Sequence, residues 1–148
     1  MQTDFLEKSI FTSTNVFNNN MKYSIDKHEK YSLFTLDEEK LDTLIAPKLK
    51  TEFITMFQAG TANLILNMSK VKYVDSSGLS AILVAYRLAG ENNGLLVLAG
   101  VTSHVLKLIS ISKLDNVLNI IPTVQESVDA IFLHEIEKDL STDEDTEK

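Results

Sequence analysis

"YVDSSGLSAILVAYR", Tyr73–Arg87, is the stretch from which the fold is read. A Tyr-Val pair runs into Asp75, two serines and Gly78, and an apolar segment follows at once. Asp75 or Ser76 can accept hydrogen bonds from the free N–H groups of a first helical turn, and Gly78 relieves crowding there. Leu79, Ile82, Leu83 and Tyr86 keep helical spacing, which predicts a helix from Ser77 to about Ala89 with those residues along one stripe. The stretch is therefore a strand-to-helix turn.

Working outward, the same alternation continues on both sides. "NLILNM" upstream reads as a buried strand, and "KVKYV" carries the chain to Asp75. Before it, Leu49, Phe53, Met56 and Phe57 fall at i, i+4, i+7 and i+8 of a helix that Gly60 ends. Thr43 or Asp42 is available to cap that helix, and Pro47 fits only in its first turn. "KYSIDK" and "YSLFTL", separated by "HEK", suggest a hairpin, followed by a polar connection, "DEEKLDT". Downstream, "LLVLAG" is a continuous apolar run, as expected of a strand covered on both faces. "SHVLKLIS" predicts a short helix and "NVLNII" a strand stopped by Pro122. Thr123-Val124-Gln125-Glu126 has the form of a capping box opening a last helix through Val128, Ile131, Phe132 and Ile136.

The expected order is β-β-α-β-α-β-α-β-α: an α/β domain with a mixed, mostly parallel sheet and helices packed on it. Residues 1–20 read as a flexible leader, 21–138 as the single domain, and 139–148 as an acidic, disordered tail. In such sheets functional loops gather at the carboxyl ends of the parallel strands, where the Asp75–Gly78 turn falls.

Composition narrows the function. The chain is 44% hydrophobic and 24% charged, ordinary for a globular domain, with no apolar run near the roughly 20 residues of a membrane helix. A net charge of −7 argues against nucleic acid as a partner, and seven acids against two lysines in residues 135–148 carry most of it. Cysteine is absent, which excludes disulfides and thiolate chemistry. A cytoplasmic location is the default expectation.

The serines have no catalytic company. A nucleophile elbow needs Gly-x-Ser-x-Gly, and Val74 stands two residues before Ser76. His28, His104 and His134 belong to no triad-like motif, no P-loop occurs, and no metal-ligand or cofactor-binding pattern is present. A displayed serine at a helix mouth suits phosphorylation better. The free N–H groups and partial positive charge there tolerate a phosphate, whose charge of about −1.5 to −2 changes what the surface can bind without unfolding the domain.

Asp75-Ser76-Ser77-Gly78-Leu79 in this setting resembles the signature of STAS domains, specifically of bacterial anti-sigma factor antagonists. The resemblance spans Lys22 to about Phe132 and takes in the hairpin, "EKLDTLIAPKLKTEF", "LILNMSKVKYVDSSGLSAILVAYR", "LLVLAG" and "SHVLKLISISKL". It implies that Ser76 is the phosphoacceptor and that Asp75 is the motif acid beside it. It also implies that Asp42 and Asp75, with Ser77, Gly78 and Leu79, belong to the partner-binding face. The implied partners are an anti-sigma factor serine kinase and a PP2C-type phosphatase, for a monomer or weak homodimer without enzymatic activity or membrane insertion. Three positions depart from the family pattern. Glu39-Lys40-Leu41-Asp42 replaces Gly-Glu-[Leu/Ile]-Asp, Ser80 stands where a small residue, often glycine, follows the motif leucine, and Ser112-Lys113-Leu114 replaces [Ser/Thr]-Gly-Leu. Lys40 in place of an acid keeps a second role open, a constitutive structural subunit of a lipid-transport or stress-sensing complex.

Overall fold

The computed structural model describes residues 21–147, with side chains through Ser141; the expected leader, residues 1–20, lies outside them. The hairpin forms as expected: β1 (Tyr23–Lys27) pairs antiparallel with β2 (Ser32–Leu36). The chain then makes a two-residue strand β3 (Lys40–Leu41), helix α1 (Ala46–Gln58), β4 (Leu64–Asn67) and a second two-residue strand β5 (Tyr73–Val74). Helix α2 (Ser76–Glu91), β6 (Leu96–Ala99), α3 (Ser103–Ile111), β7 (Asn119–Ile121) and α4 (Val124–Glu147) complete it. The main sheet has the order β1-β2-β4-β6-β7, all parallel except β1. β3 and β5 pair in parallel as a separate small sheet, which the polar look of "DEEKLDT" concealed.

Burial on both faces explains the apolar strands. In β4 and β6, Leu64, Leu66, Leu96 and Leu98 enter the larger core with Phe34, Leu49, Phe53, Ile82, Val105 and Ile109 from β2 and helices α1 to α3. Ile65, Val97 and Ala99 point the other way and meet Ile131 of α4. The period-2 alternation of sides is intact, but both sides are dry, so the sequence reads as one unbroken apolar run.

The helix ends sharpen three sequence expectations. α1 begins after Ile45 with no side-chain cap, not at Thr43 or Asp42; Pro47 lies in its first turn, where its missing N–H costs nothing. In α2 the buried residues are Gly78, Ala81, Ile82, Ala85 and Ala89, whereas Leu79 and Leu83 are only partly covered and Tyr86 is exposed. Small side chains let α2 lie close against its neighbours, and the large ones are displaced to the flank. α4 runs on to Glu147, so residues 139–147 have helical backbone in place of the disordered tail. Extending an existing helix costs far less than starting one, and Asp, Thr and Glu carry only modest helix penalties.

Helices α1, α2 and α3 all close with the same paired hydrogen bonds, the residue at C′ taking positive φ. Gly60 does so after α1 at φ +115°, with Gly60 N–H on the Phe57 carbonyl and Thr61 N–H on that of Met56. Asn93 does so after α2 at φ 58°. After α3 the residue is Lys113 at φ 63°, the position where the resemblance places glycine. A lysine there carries left-handed strain on the order of 1 kcal/mol.

On the amino-terminal edge of the sheet, buried Asn63 joins three elements. Its side-chain amide donates to the Lys30 carbonyl (2.8 Å) and to Glu135 Oε2 of α4 (2.9 Å). Its side-chain oxygen accepts from Leu95 N–H (2.8 Å). Lys138 Nζ donates to the same Glu135 oxygen at 3.0 Å and to the Asn93 carbonyl at 3.1 Å. The Asn63 hydrogen bond, followed by Lys138, holds the Glu135 carboxyl below its ordinary value of 4.5, against the effect of burial.

Two outcomes follow for denaturant unfolding. Lys113→Gly stabilises the chain by about 1 kcal/mol, because only the strained φ is relieved. Asn63→Ala destabilises it by about 3 kcal/mol, leaving the Lys30 carbonyl and Leu95 N–H without their partner and Glu135 with Lys138 in place of two donors. Because folding depresses the Glu135 pKa, its contribution is complete above the unfolded value and is lost as pH falls through the folded one. Glu135→Gln therefore flattens the acid limb of stability measured from about pH 5 downward.

Candidate functional site

The site is built where β3 and β5 meet. Register pairs Lys40 with Tyr73 and Leu41 with Val74. The Glu39 carbonyl accepts from Lys72 N–H at 2.8 Å and Tyr73 N–H at 3.1 Å, and the Leu41 carbonyl accepts from Asp75 N–H at 3.2 Å. This small parallel ladder stops the chain at Asp75 with extended backbone, φ −102° and ψ −173°. An extended residue immediately before a helix is what an N-cap requires. Asp75 Oδ1 accepts from Gly78 N–H at 3.0 Å, and the Asp75 carbonyl accepts from Leu79 N–H at 3.0 Å. Of the two cap candidates in the sequence, Asp75 caps, so Ser76 does not.

Ser76 is thereby released from structural duty. It occupies the first helical position of α2 and is exposed, while Ser77 beside it is half-buried. A groove of about 530 Å³ opens here, lined by Thr43, Ala46, Pro47 and Lys50 from the α1 side and Ser76, Ser77 and Ser80 from α2. No lining residue is acidic, and among the described residues Lys50 has no ion-pair partner. The groove thus joins a displayed hydroxyl, a helix N-terminus and one ammonium group, all favourable to an anion.

The other expected residues take different places. Asp42 shapes the rim without lining the groove: its Oδ1 accepts from Leu44 N–H at 3.1 Å, and its carbonyl accepts from Ile45 and Ala46 N–H. Leu79 is partly buried against the core. Gly78 is buried, and a Cβ there would overlap the Leu41 carbonyl and stand 2.7 Å from Leu41 Cγ and 2.8 Å from Val74 Cγ1. Its identity comes from the close approach of β3. Sequence reading missed Lys50, which sits one turn beyond Pro47 on a helix whose apolar stripe drew attention to the other face.

No histidine lines the groove. His28 lies on the hairpin turn, 3.0 Å from Asp26 and stacked on Tyr31, whose pKa is raised by burial and then by Asp26. His104 is exposed at the start of α3, and His134, on α4, approaches the carbonyl of Asn93 beyond the end of α2. Among the described residues, no three His, Asp or Glu side chains are grouped to hold a metal ion, and no helix is long and apolar enough to cross a membrane.

Residues 22–127 match the STAS domain. The chain is 27% identical over 81 residues to an anti-sigma-B factor antagonist of Staphylococcus epidermidis, covering 55% of this chain and 75% of that one. A putative anti-sigma factor antagonist from Thermotoga maritima superposes with a TM-score of 0.67 at 20% identity, over 74% of this chain and 93% of the other. The phosphorylated form of the Bacillus cell fate determinant SpoIIAA superposes with a TM-score of 0.59 at 19% identity, over 74% and 99%. At these identities the structural likeness is one of fold.

The close approach at Gly78 has a measurable consequence. Gly78→Ala forces β3 away from α2 and lowers stability by about 3 kcal/mol. Gly90→Ala in the same helix meets no atom within 4 Å and raises stability by about 0.5–1 kcal/mol. Urea unfolding of the two variants separates crowding from helix propensity.

Proposed function

The chain belongs to the STAS domain family, and on that premise we propose that it is an anti-sigma factor antagonist switched by phosphorylation of Ser76. The observation that carries this reading is the division of labour in the turn. Asp75 caps the helix, which leaves the Ser76 hydroxyl exposed at the first position of α2. Unphosphorylated, the chain binds an anti-sigma factor that is also its serine kinase, through the groove and the rim formed by Asp42 and α2. The names borne by its relatives support this partner. A PP2C-type phosphatase restores the binding form.

The physics of the switch is local. A phosphate on Ser76 meets the first-turn N–H groups and faces the groove that Lys50 lines, so the fold accommodates it. A partner surface that packed against a neutral hydroxyl must instead desolvate a dianion beside Asp75, which is costly unless a cation compensates. Binding is lost while the domain stays folded. The chain is a binding module here, and Ser76 is its substrate residue for another enzyme.

Lys40 supports a second reading, a constitutive structural subunit. It is exposed in β3 on the rim of the site, where the resemblance places an acid.

Incubation with ATP and the cognate anti-sigma factor kinase labels the wild-type chain and not Ser76→Ala; equal labelling of both overturns the assignment. Ser76→Asp binds that kinase roughly a hundredfold more weakly while its melting temperature stays within about 3 °C of wild type. A native complex that forms unchanged with Ser76→Asp favours the constitutive subunit.

A further inference from the structure

The last helix carries a surface that neither the fold nor the phosphoserine site uses. α4 has 24 residues, about 36 Å at 1.5 Å per residue, whereas β4 and β6 beneath it have four each, about 13 Å. Its inner face is spent on Ile131 in the core and on the Glu135 and Lys138 tie to Asn63 and Asn93. Its outer face is apolar: Phe132, Ile136 and Leu140 recur at i, i+4 and i+8, and Leu133 joins them at i+3 and i+7 spacing from Ile136 and Leu140. Leu133 is 57% exposed, Ile136 56% and Leu140 58%, with Phe132 touching only Tyr31 edge-on among the aromatic rings. Scattered single leucines need no explanation, but a continuous helical stripe does. The stripe also lies beyond residue 127, where the family match ends.

Its borders select the occupant. Asp129, Glu137 and Asp139 are exposed along the stripe. A second copy of this helix would set like charges against one another on both flanks, in a chain whose net charge is already −7. A helix with leucine-type residues on one face and Lys or Arg beside them satisfies both the apolar stripe and its acidic flanks. We propose that the outer face of α4 is a docking surface for a basic amphipathic helix of a partner protein. It is independent of Ser76, so the chain engages two partners on separate faces, one of them unaffected by phosphorylation.

The test titrates the full chain into a labelled synthetic peptide of about three heptads with Leu at a and d and Lys at e and g, read by fluorescence anisotropy. Controls carry Glu at e and g, or Ser at a and d. The Lys/Leu peptide binds at least about tenfold more tightly than either control, and its affinity falls as salt rises. Ile136→Ser and Leu140→Ser, exposed positions that leave the circular dichroism spectrum unchanged, each weaken it about tenfold; the Glu137→Gln/Asp139→Asn pair removes most of the salt dependence. Ser76→Asp leaves the affinity unchanged, which separates this surface from the switch. Equal affinity for the Lys and Glu peptides overturns the proposal, as does binding that survives both serine variants. Sedimentation showing a wild-type dimer that Ile136→Ser abolishes also overturns it, since the stripe would then be covered by a second copy.

Discussion

The site depends on where one backbone carbonyl sits. The Leu41 oxygen accepts the Asp75 N–H and simultaneously lies against the Cα of Gly78. The first contact sets the extended conformation from which Asp75 caps α2, and the second admits only glycine three residues later. Two short strands of two residues each are thus enough to fix the start of a 16-residue helix. An N-cap contributes on the order of 1 kcal/mol, so the ladder matters more for position than for stability.

That geometry explains how an exposed serine coexists with a well-made helix start. A cap side chain cannot also be a displayed group, because its oxygen is occupied by backbone N–H. With Asp75 taking the cap and Gly78 turned inward, Ser76 is left exposed. The groove beside it lies between α1 and α2, and α2 buries the alanines at 81, 85 and 89. The opposite layer is built differently: α4 is held by one apolar contact row and a polar knot at Asn63, which leaves its outer face exposed.

Much of this was legible from residue order. The hairpin, the apolar stripe of α1, the doubly buried "LLVLAG" strand and the Thr123 capping box all follow from periodicity or local hydrogen-bond chemistry, and the structure has each of them. The Thr123 hydroxyl accepts from Glu126 N–H at 3.1 Å, as that box requires. Less legible were β3 and β5, because two-residue strands have no period to detect. The buried face of α2 is legible only in part. Hydrophobic spacing finds Ile82, which is fully buried, and Leu79 and Leu83, which pack partly against the core. It also selects exposed Tyr86 and passes over the buried Gly78, Ala81, Ala85 and Ala89.

The sequence by itself determined the alternation of strands and helices and the turn chemistry of Asp75 to Gly78, since these depend on neighbours within a few residues. Only the tertiary structure decided which of Asp75 and Ser76 caps, why position 78 is glycine, and that Lys50 and Thr43 share a groove with Ser76. Each of those turns on atoms some thirty residues apart, brought together by a ladder of two residues per strand. Local chemistry narrows the roles a residue can take, and the long-range contact assigns one of them.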